Sequence, residues 1–161
     1  MIEVYTDGSC SGNGHSNSYG GGAYIIVING QIFYKENFGT PNTTNQRMEL
    51  EAAARACEYL EKAYFLDDIV IYSDSAYLIN CYNQNWWMSW SKNGWKNSKK
   101  EPVANRDLWE RLIPFFKLKG FNFKKIKGHS GVKLNELVDK MAVEGTTMSK
   151  KIGGIYESSN C

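Results

Sequence analysis

Tyr5-Thr6-Asp7-Gly8-Ser9-Cys10 decides how this chain is read: an alternating apolar segment runs into a carboxylate and then directly into a glycine. Residues 2–6 alternate as a strand, with Ile2, Val4 and Thr6 on one face and Glu3 and Tyr5 on the other. That puts Asp7 at the strand's C-terminal end. Whether the stretch is a site depends on Asp7 finding partners elsewhere in the chain.

Working outward, residues 11–22 are rich in Gly, Ser and Asn and read as a loop, followed by a strand from Ala23 to Ile28. Asn29-Gly30 is a hairpin turn, so Gln31 to Phe38 should return antiparallel. After Pro41, Thr43 as N-cap and Gln46 three residues on form a capping box that starts a helix reaching Lys62. Leu50, Ala53, Ala54, Cys57 and Leu60 share one face of it, with Glu51 and Glu58 opposite. Glu49 falls on the margin of the apolar face, beside Leu60 and Ala53. An acid placed near the helix N-terminus to suit the dipole would be the plain account.

A second strand, Ile69 to Ser73, also runs into an aspartate, Asp74. If the intervening helix is a crossover, the two strands are parallel, and Asp7 and Asp74 meet at carboxyl ends where open α/β sheets bind ligands. Capping of the next helix by Asp74 or Ser75 explains one aspartate, but not why both strands end alike. Farther on, Asn105 should cap a helix bearing Leu108, Trp109, Leu112, Ile113 and Phe116, which Pro114 should kink or shorten. Phe121 to Ile126 make a last strand. Leu134, Leu137, Val138, Met141 and Ala142 form the buried stripe of a final helix, with Asn135 and Asp139 along its flank. One domain over residues 1–145 is expected, with residues 146–161 a polar, poorly ordered tail.

At 161 residues with 42% hydrophobic content the chain can bury one sizeable core. Its longest apolar run, Ala23 to Ile28, is far short of the roughly 20 residues a membrane span needs, and Glu3 and Asp7 deny a signal-peptide pattern, so a cytoplasmic protein is expected. Cys10, Cys57, Cys81 and Cys161 are widely spaced without a C-x-x-C pair, which argues against a structural zinc site and a disulfide framework. Charge is unevenly placed. Between Trp86 and Lys127 eleven Lys and Arg face three acids, a net +8, which leaves −6 for the rest of a chain whose total is +2. Trp86, Trp87, Trp90 and Trp95 interleave with that basic run, so the segment reads as a nucleic-acid surface rather than a merely solvated face.

Five motifs now stand in order: T-D-G-S at 6–9, T-T-N-Q-R-M-E-L at 43–50, Y-S-D-S at 72–75, K-G-H-S-G at 127–131 and N-x-x-x-D at 135–139. Each alone is weak. Together, with D-L-W at 107–109 and the tryptophan-rich basic segment, they closely resemble the type 1 ribonuclease H family from Ile2 to about Gly145. The resemblance implies an α/β ribonuclease H-like fold, a five-stranded mixed sheet flanked by helices. It implies endonucleolytic cleavage of the RNA strand of an RNA–DNA hybrid, leaving 5′-phosphate and 3′-hydroxyl ends. The family's four acidic metal ligands match Asp7, Glu49, Asp74 and Asp139, and its mobile catalytic histidine matches His129. Two Mg²⁺ ions would be the cofactors, with Mn²⁺ as a substitute, and a monomer without membrane attachment is expected.

The chemistry suits those residue types, because phosphodiester hydrolysis needs an activated water and a stabilised leaving oxygen, which paired hard cations held by carboxylates provide. By the same resemblance Asn13, Asn45 and Gln46 would touch the hybrid's minor groove. Thr44, Asn105 and the segment with Trp86, Trp90, Trp95 and Lys96 would hold the DNA backbone, and Trp109 would lie near the substrate or pack. The chain departs from the family at Ala76, where many members carry glutamine, in a longer first loop, and at Pro114. Two rival readings share the fold: a hybrid- or double-stranded-RNA-binding module whose chemistry is lost or weak, and a nuclease acting on DNA or belonging to a reverse transcriptase.

Overall fold

The computed structural model describes residues 1–12, 17–63, 68–126 and 133–159, with residues 153–159 by backbone alone. Five strands form one mixed sheet in the order β3-β2-β1-β4-β5. Strands β1 (Ile2–Ser11), β2 (Tyr19–Ile28) and β3 (Gln31–Pro41) are an antiparallel meander, while β4 (Ile69–Ser73) and β5 (Phe121–Lys125) join it in parallel. The hairpin turns at Asn29 and Gly30, with φ of 52° and 77°, the left-handed pair that the Asn-Gly dipeptide anticipates.

The first two strands are longer than the sequence pattern suggests. β1 runs on through Asp7 to Ser11, because β2 begins at Tyr19 and pairs with it along its whole length. Glycines 20–22 therefore belong to a strand rather than a loop. Pairing of β1 with β4, by contrast, covers only Ile2–Tyr5 against Ile69–Tyr72. Asp7 thus lies within a strand, just beyond the point where β1 parts from β4.

Helix α1 (Asn45–Lys62) buries Leu50, Ala53, Ala54, Cys57 and Leu60, as its periodicity predicts. Its cap is Thr44, not Thr43: the Thr44 hydroxyl accepts from the Arg47 amide at 3.2 Å. Thr43 is instead buried and held through its backbone by Ser18, whose hydroxyl donates to its carbonyl and accepts from its amide. Glu51 and Glu58 are not a solvated face, since Arg111 pairs with both, and Arg55 joins Glu51 to Glu36. The principal core lies between this helix, the sheet, α2 (Ala76–Asn83) and α4 (Arg106–Phe116). A short 3₁₀ turn (Trp86–Met88) and α3 (Trp90–Asn93) carry the tryptophan-rich segment.

Pro114 lies inside α4, which ends two residues later, so the proline coincides with an early stop and not with loss of the helix. On the other face of the sheet α5 (Lys133–Ser159) packs Val138, Met141 and Ala142 against Tyr5, Ala23, Ile25 and Val27. The helix does not stop near Gly145. Residues 146–159 continue it, and Thr146 and Ser149, polar residues that weaken the sequence pattern, are buried because they lie against β1 and β3. No described helix is long and apolar enough to cross a membrane.

Candidate active site

The partners that Asp7 requires arrive from three other parts of the fold. Asp7 stands on β1, where the amide of Gly8 donates to its Oδ1 at 2.9 Å. Glu49 comes from the second turn of α1, and Gly8 explains how it gets so near. A Cβ on residue 8 would sit 2.5 Å from the Glu49 nitrogen and 2.7 Å from the Met48 carbonyl carbon, so only glycine lets the helix touch the strand there. Asp74 follows β4, and Ser75, not Asp74, caps α2 by accepting from the Leu78 amide at 3.2 Å. The capping account is thus satisfied without Asp74, whose carboxylate is left to the cluster.

Asp7, Glu49 and Asp74 each offer a carboxylate oxygen, all within 4.8 Å of one another. Asp139, on the exposed flank of α5, acts on the Asp7 carboxyl from the helix that covers that face of the sheet. Of the four acids expected at the site, Asp7, Glu49 and Asp74 are thus brought together, and Asp139 acts on Asp7 from α5. Asp7 and Glu49 are only 5% and 6% exposed. Burial above all, then the hydrogen bond with Asp139 and the charge of Asp74, pushes the Asp7 carboxyl up to about 8. Burial, followed by the charges of Asp7 and Asp74, holds Glu49 well above the usual carboxylate range.

Such a cluster costs the fold free energy unless something compensates it. Among the described residues no Lys or Arg pairs with Asp7, Glu49 or Asp74. Moreover Glu49 Oε2 is buried and has no hydrogen-bond partner. An orphaned acceptor among crowded acids, with oxygen ligands only, fits a hard divalent cation better than it fits an ion pair or a structural hydrogen bond.

Residues expected to touch a substrate divide sharply. Asn45 and Gln46 are exposed on the first turn of α1, beside the cluster, and Thr44 spends its hydroxyl on the cap. Trp86 is 38% exposed and Lys96 is exposed; both border a cavity of about 500 Å³ with Trp90, Asn93 and Asn97. Trp95 is partly buried beneath Arg106, whose guanidinium lies 4.6 Å from the ring centre. Trp90 and Trp109 are both buried, their rings 5.7 Å apart: Trp109 takes the packing alternative, and Trp90 supports the segment from below while bordering the cavity with one edge. Asn13 and His129 lie outside the described residues.

Asn105 also differs from expectation. It occupies the cap position of α4 with φ 61° and makes no side-chain cap. Its Oδ1 accepts from Arg47 at 3.2 Å, and its amide donates to the Tyr77 hydroxyl, which also accepts from Trp109 Nε1 at 3.2 Å. Arg47 in turn grips Asp107 with both terminal nitrogens. Sequence reasoning passed over Arg47, although it sits inside the T-T-N-Q-R-M-E-L motif and its partner inside D-L-W. The signal was a charged residue within each motif.

Comparison with known proteins agrees with the geometry. The RNase H family model matches residues 1–147. A Ribonuclease H of Syntrophomonas wolfei is 45% identical over 88% of this chain and 92% of its own, and one of Caldanaerobacter subterraneus is 43% identical over 89% and 90%. A crystal structure of a type 1 RNase H with the type 2 active-site motif superposes with a TM-score of 0.77 at 25% identity, covering 92% of this chain and 72% of that one. With the sheet order, the convergent acids and these relatives in agreement, the chain belongs to the RNase H family.

Proposed function

We propose that the protein is an endonuclease that hydrolyses the RNA strand of RNA–DNA hybrids with divalent metal ions, leaving 5′-phosphate and 3′-hydroxyl ends. The observation that carries this reading is the meeting of buried Asp7 and Glu49 with the more exposed Asp74 around an unpartnered Glu49 oxygen, with no Lys or Arg paired to them among the described residues and Asp139 acting on Asp7. Asp7, Glu49, Asp74 and Asp139 would hold two Mg²⁺ ions, or Mn²⁺ in their place. Bound there, the ions supply an activated water and neutralise charge at the scissile phosphate and the leaving oxygen.

The chain's own residues prepare that chemistry. Asp7, central on β1 and touching the other acids, is the ligand suited to both ions. Burial and mutual charge raise the carboxyls of Asp7 and Glu49, and a bound cation would lower them again, which ties metal binding to pH. His129, on a segment flanked by Gly128 and Gly131, assists proton transfer or product departure from outside the cluster. Asn45 and Gln46 line the approach to the acids and read the 2′-hydroxyl side of the minor groove, which separates RNA from DNA. Trp86, Lys96 and the exposed lysines around them hold the DNA backbone without reading its sequence. We place the enzyme in the cytoplasm as a monomer.

The deciding experiment compares cleavage of a labelled RNA–DNA hybrid, duplex DNA and duplex RNA, each with Mg²⁺ and with chelator. Metal-dependent cleavage confined to the RNA of the hybrid is expected. Hybrid binding without products would instead make the chain a binding module, and cleavage of duplex DNA would reassign the substrate.

A further inference from the structure

Strand register links the acid cluster to a residue that has no part in it. Asp7 on β1 stands opposite Ala23 on β2, and Ala23 stands opposite Asn37 on β3. Residues directly opposite share a face, so the three side chains form one row across three strands about 4.8 Å apart, on the face that α5 covers. Ala23 packs against Val138, Met141 and Ala142. Asn37 does something more specific: its Nδ2 donates to the main-chain carbonyl of Met141 at 3.1 Å.

That carbonyl lies two residues beyond Asp139. It is a mid-helix oxygen, already placed to accept from within α5, so the Asn37 amide uses its second lone pair. The bond cannot be needed to satisfy the helix. Its effect is geometric, because it pins α5 along its axis to the same row of the sheet that carries Asp7. Next to it, a Cβ on Gly145 would lie 3.0 Å from the Phe38 carbonyl carbon and closer still to its oxygen, so helix and β3 backbone meet in direct contact one turn later. Residues 37–38 thus hold positions 141 and 145 on a single stripe of α5, and Asp139 projects from the turn just before them.

We propose that Asn37 is a positioning residue for the metal-binding cluster, setting through the Met141 carbonyl where Asp139 stands relative to Asp7. The inference rests on the reading of Asp139 as a metal ligand. Outer partners that orient ligands in this way commonly change metal affinity by about 10- to 100-fold when removed.

The test measures Mg²⁺ affinity of the full chain twice, by calorimetry without nucleic acid and as the half-saturating Mg²⁺ for hybrid cleavage. Asn37→Ala should weaken both about tenfold and leave KM for the hybrid unchanged. Asn37→Leu, close in volume and without a donor, should behave alike and guards against loss of fold in the smaller variant. In an Asp139→Asn background Asn37→Ala should change nothing further. Equal loss in both backgrounds, or a lowered Tm with unchanged Mg²⁺ affinity, would overturn the proposal and leave Asn37 a packing residue. Failure of the wild-type chain to cleave any hybrid would overturn the proposed activity instead, with the calorimetric comparison still readable.

Discussion

The acid cluster and the basic segment from Trp86 to Lys100 are built on different scaffolds. Asp7 and Glu49 are almost wholly buried, on a central strand and an 18-residue helix. Lys92 is exposed on α3, and Lys96, Lys99 and Lys100 on the non-helical stretch after it, among backbone reversals at Asn85, Gly94, Trp95 and Lys100 that all take positive φ. Apart from Trp86, the tryptophans do not share that exposure; Trp90 packs on Trp109 and Trp95, and Arg106 covers Trp95. The contrast follows from what each region meets. A small divalent ion needs several oxygens fixed close together, and their mutual repulsion and desolvation must be borne by a rigid core. A long polyanion is met by charges left in water, where they cost the fold little and act by releasing counterions.

The sharpest way to break the comparison is at Asp7. Asp7→Asn should lower kcat on a hybrid by on the order of 10³-fold while circular dichroism shows the fold intact, and full activity in this variant would refute the assignment. The next effect is on stability. Trp109→Ala removes a side chain with no exposure and should cost about 3–5 kcal/mol in denaturant unfolding, whereas Trp86→Ala should leave stability nearly unchanged and weaken hybrid binding. An equal stability loss for the two would erase the distinction between supporting and facing tryptophans.

Third comes pH. The Asp7 carboxyl, pushed from 3.8 to about 8 in the folded protein, favours folding while it is protonated. Its contribution is complete below its unfolded value and lost as pH rises through the folded one. The Tm of the metal-free protein should therefore fall as pH rises from about 5 to about 9, Asp7→Asn should flatten the fall, and Mg²⁺ should restore it. A metal-free Tm that rises over this window would show that Asp7 is not held protonated. The smallest effects belong to single lysines: Lys96→Ala or Lys100→Ala should reduce the slope of log affinity against log salt by about 1 with kcat unchanged. A slope unaffected between 50 and 200 mM salt would remove the basic segment from the substrate path.

Local pattern carried much of this molecule. The 3.6-residue spacing of Leu50, Ala53, Ala54, Cys57 and Leu60 and the Asn-Gly turn at 29–30 correspond to elements whose stability is local or one-sided. The errors came where tertiary contact overrides composition. Gly20 to Gly22 read as loop, yet β1 extends them into a strand and α1 and α5 press against them. Residues 146–159 read as a tail because polar residues interrupt the stripe, yet Thr146 and Ser149 face β1 and β3 closely enough to be buried. Thr43 and Thr44 are indistinguishable as caps in sequence; Ser18, far away in the chain, decides between them.

From the sequence alone came the ordered motifs and the charge asymmetry, since residue type and spacing are one-dimensional facts, and the four acids followed only from the family resemblance those motifs carry. Only the tertiary structure decided that Asp7 lies within a strand at the fork between β1 and β4, and that Ser75 relieves Asp74 of capping. Only it showed that Asn37, in no motif, touches the helix carrying Asp139. The reason is that convergence of acids from β1, α1, β4 and α5 is a property of register and helix depth. Those are set by contacts between residues far apart in the chain, such as Asn37 and Met141, 104 positions apart, and Ser9 and Thr146, 137 apart, and no local pattern encodes them.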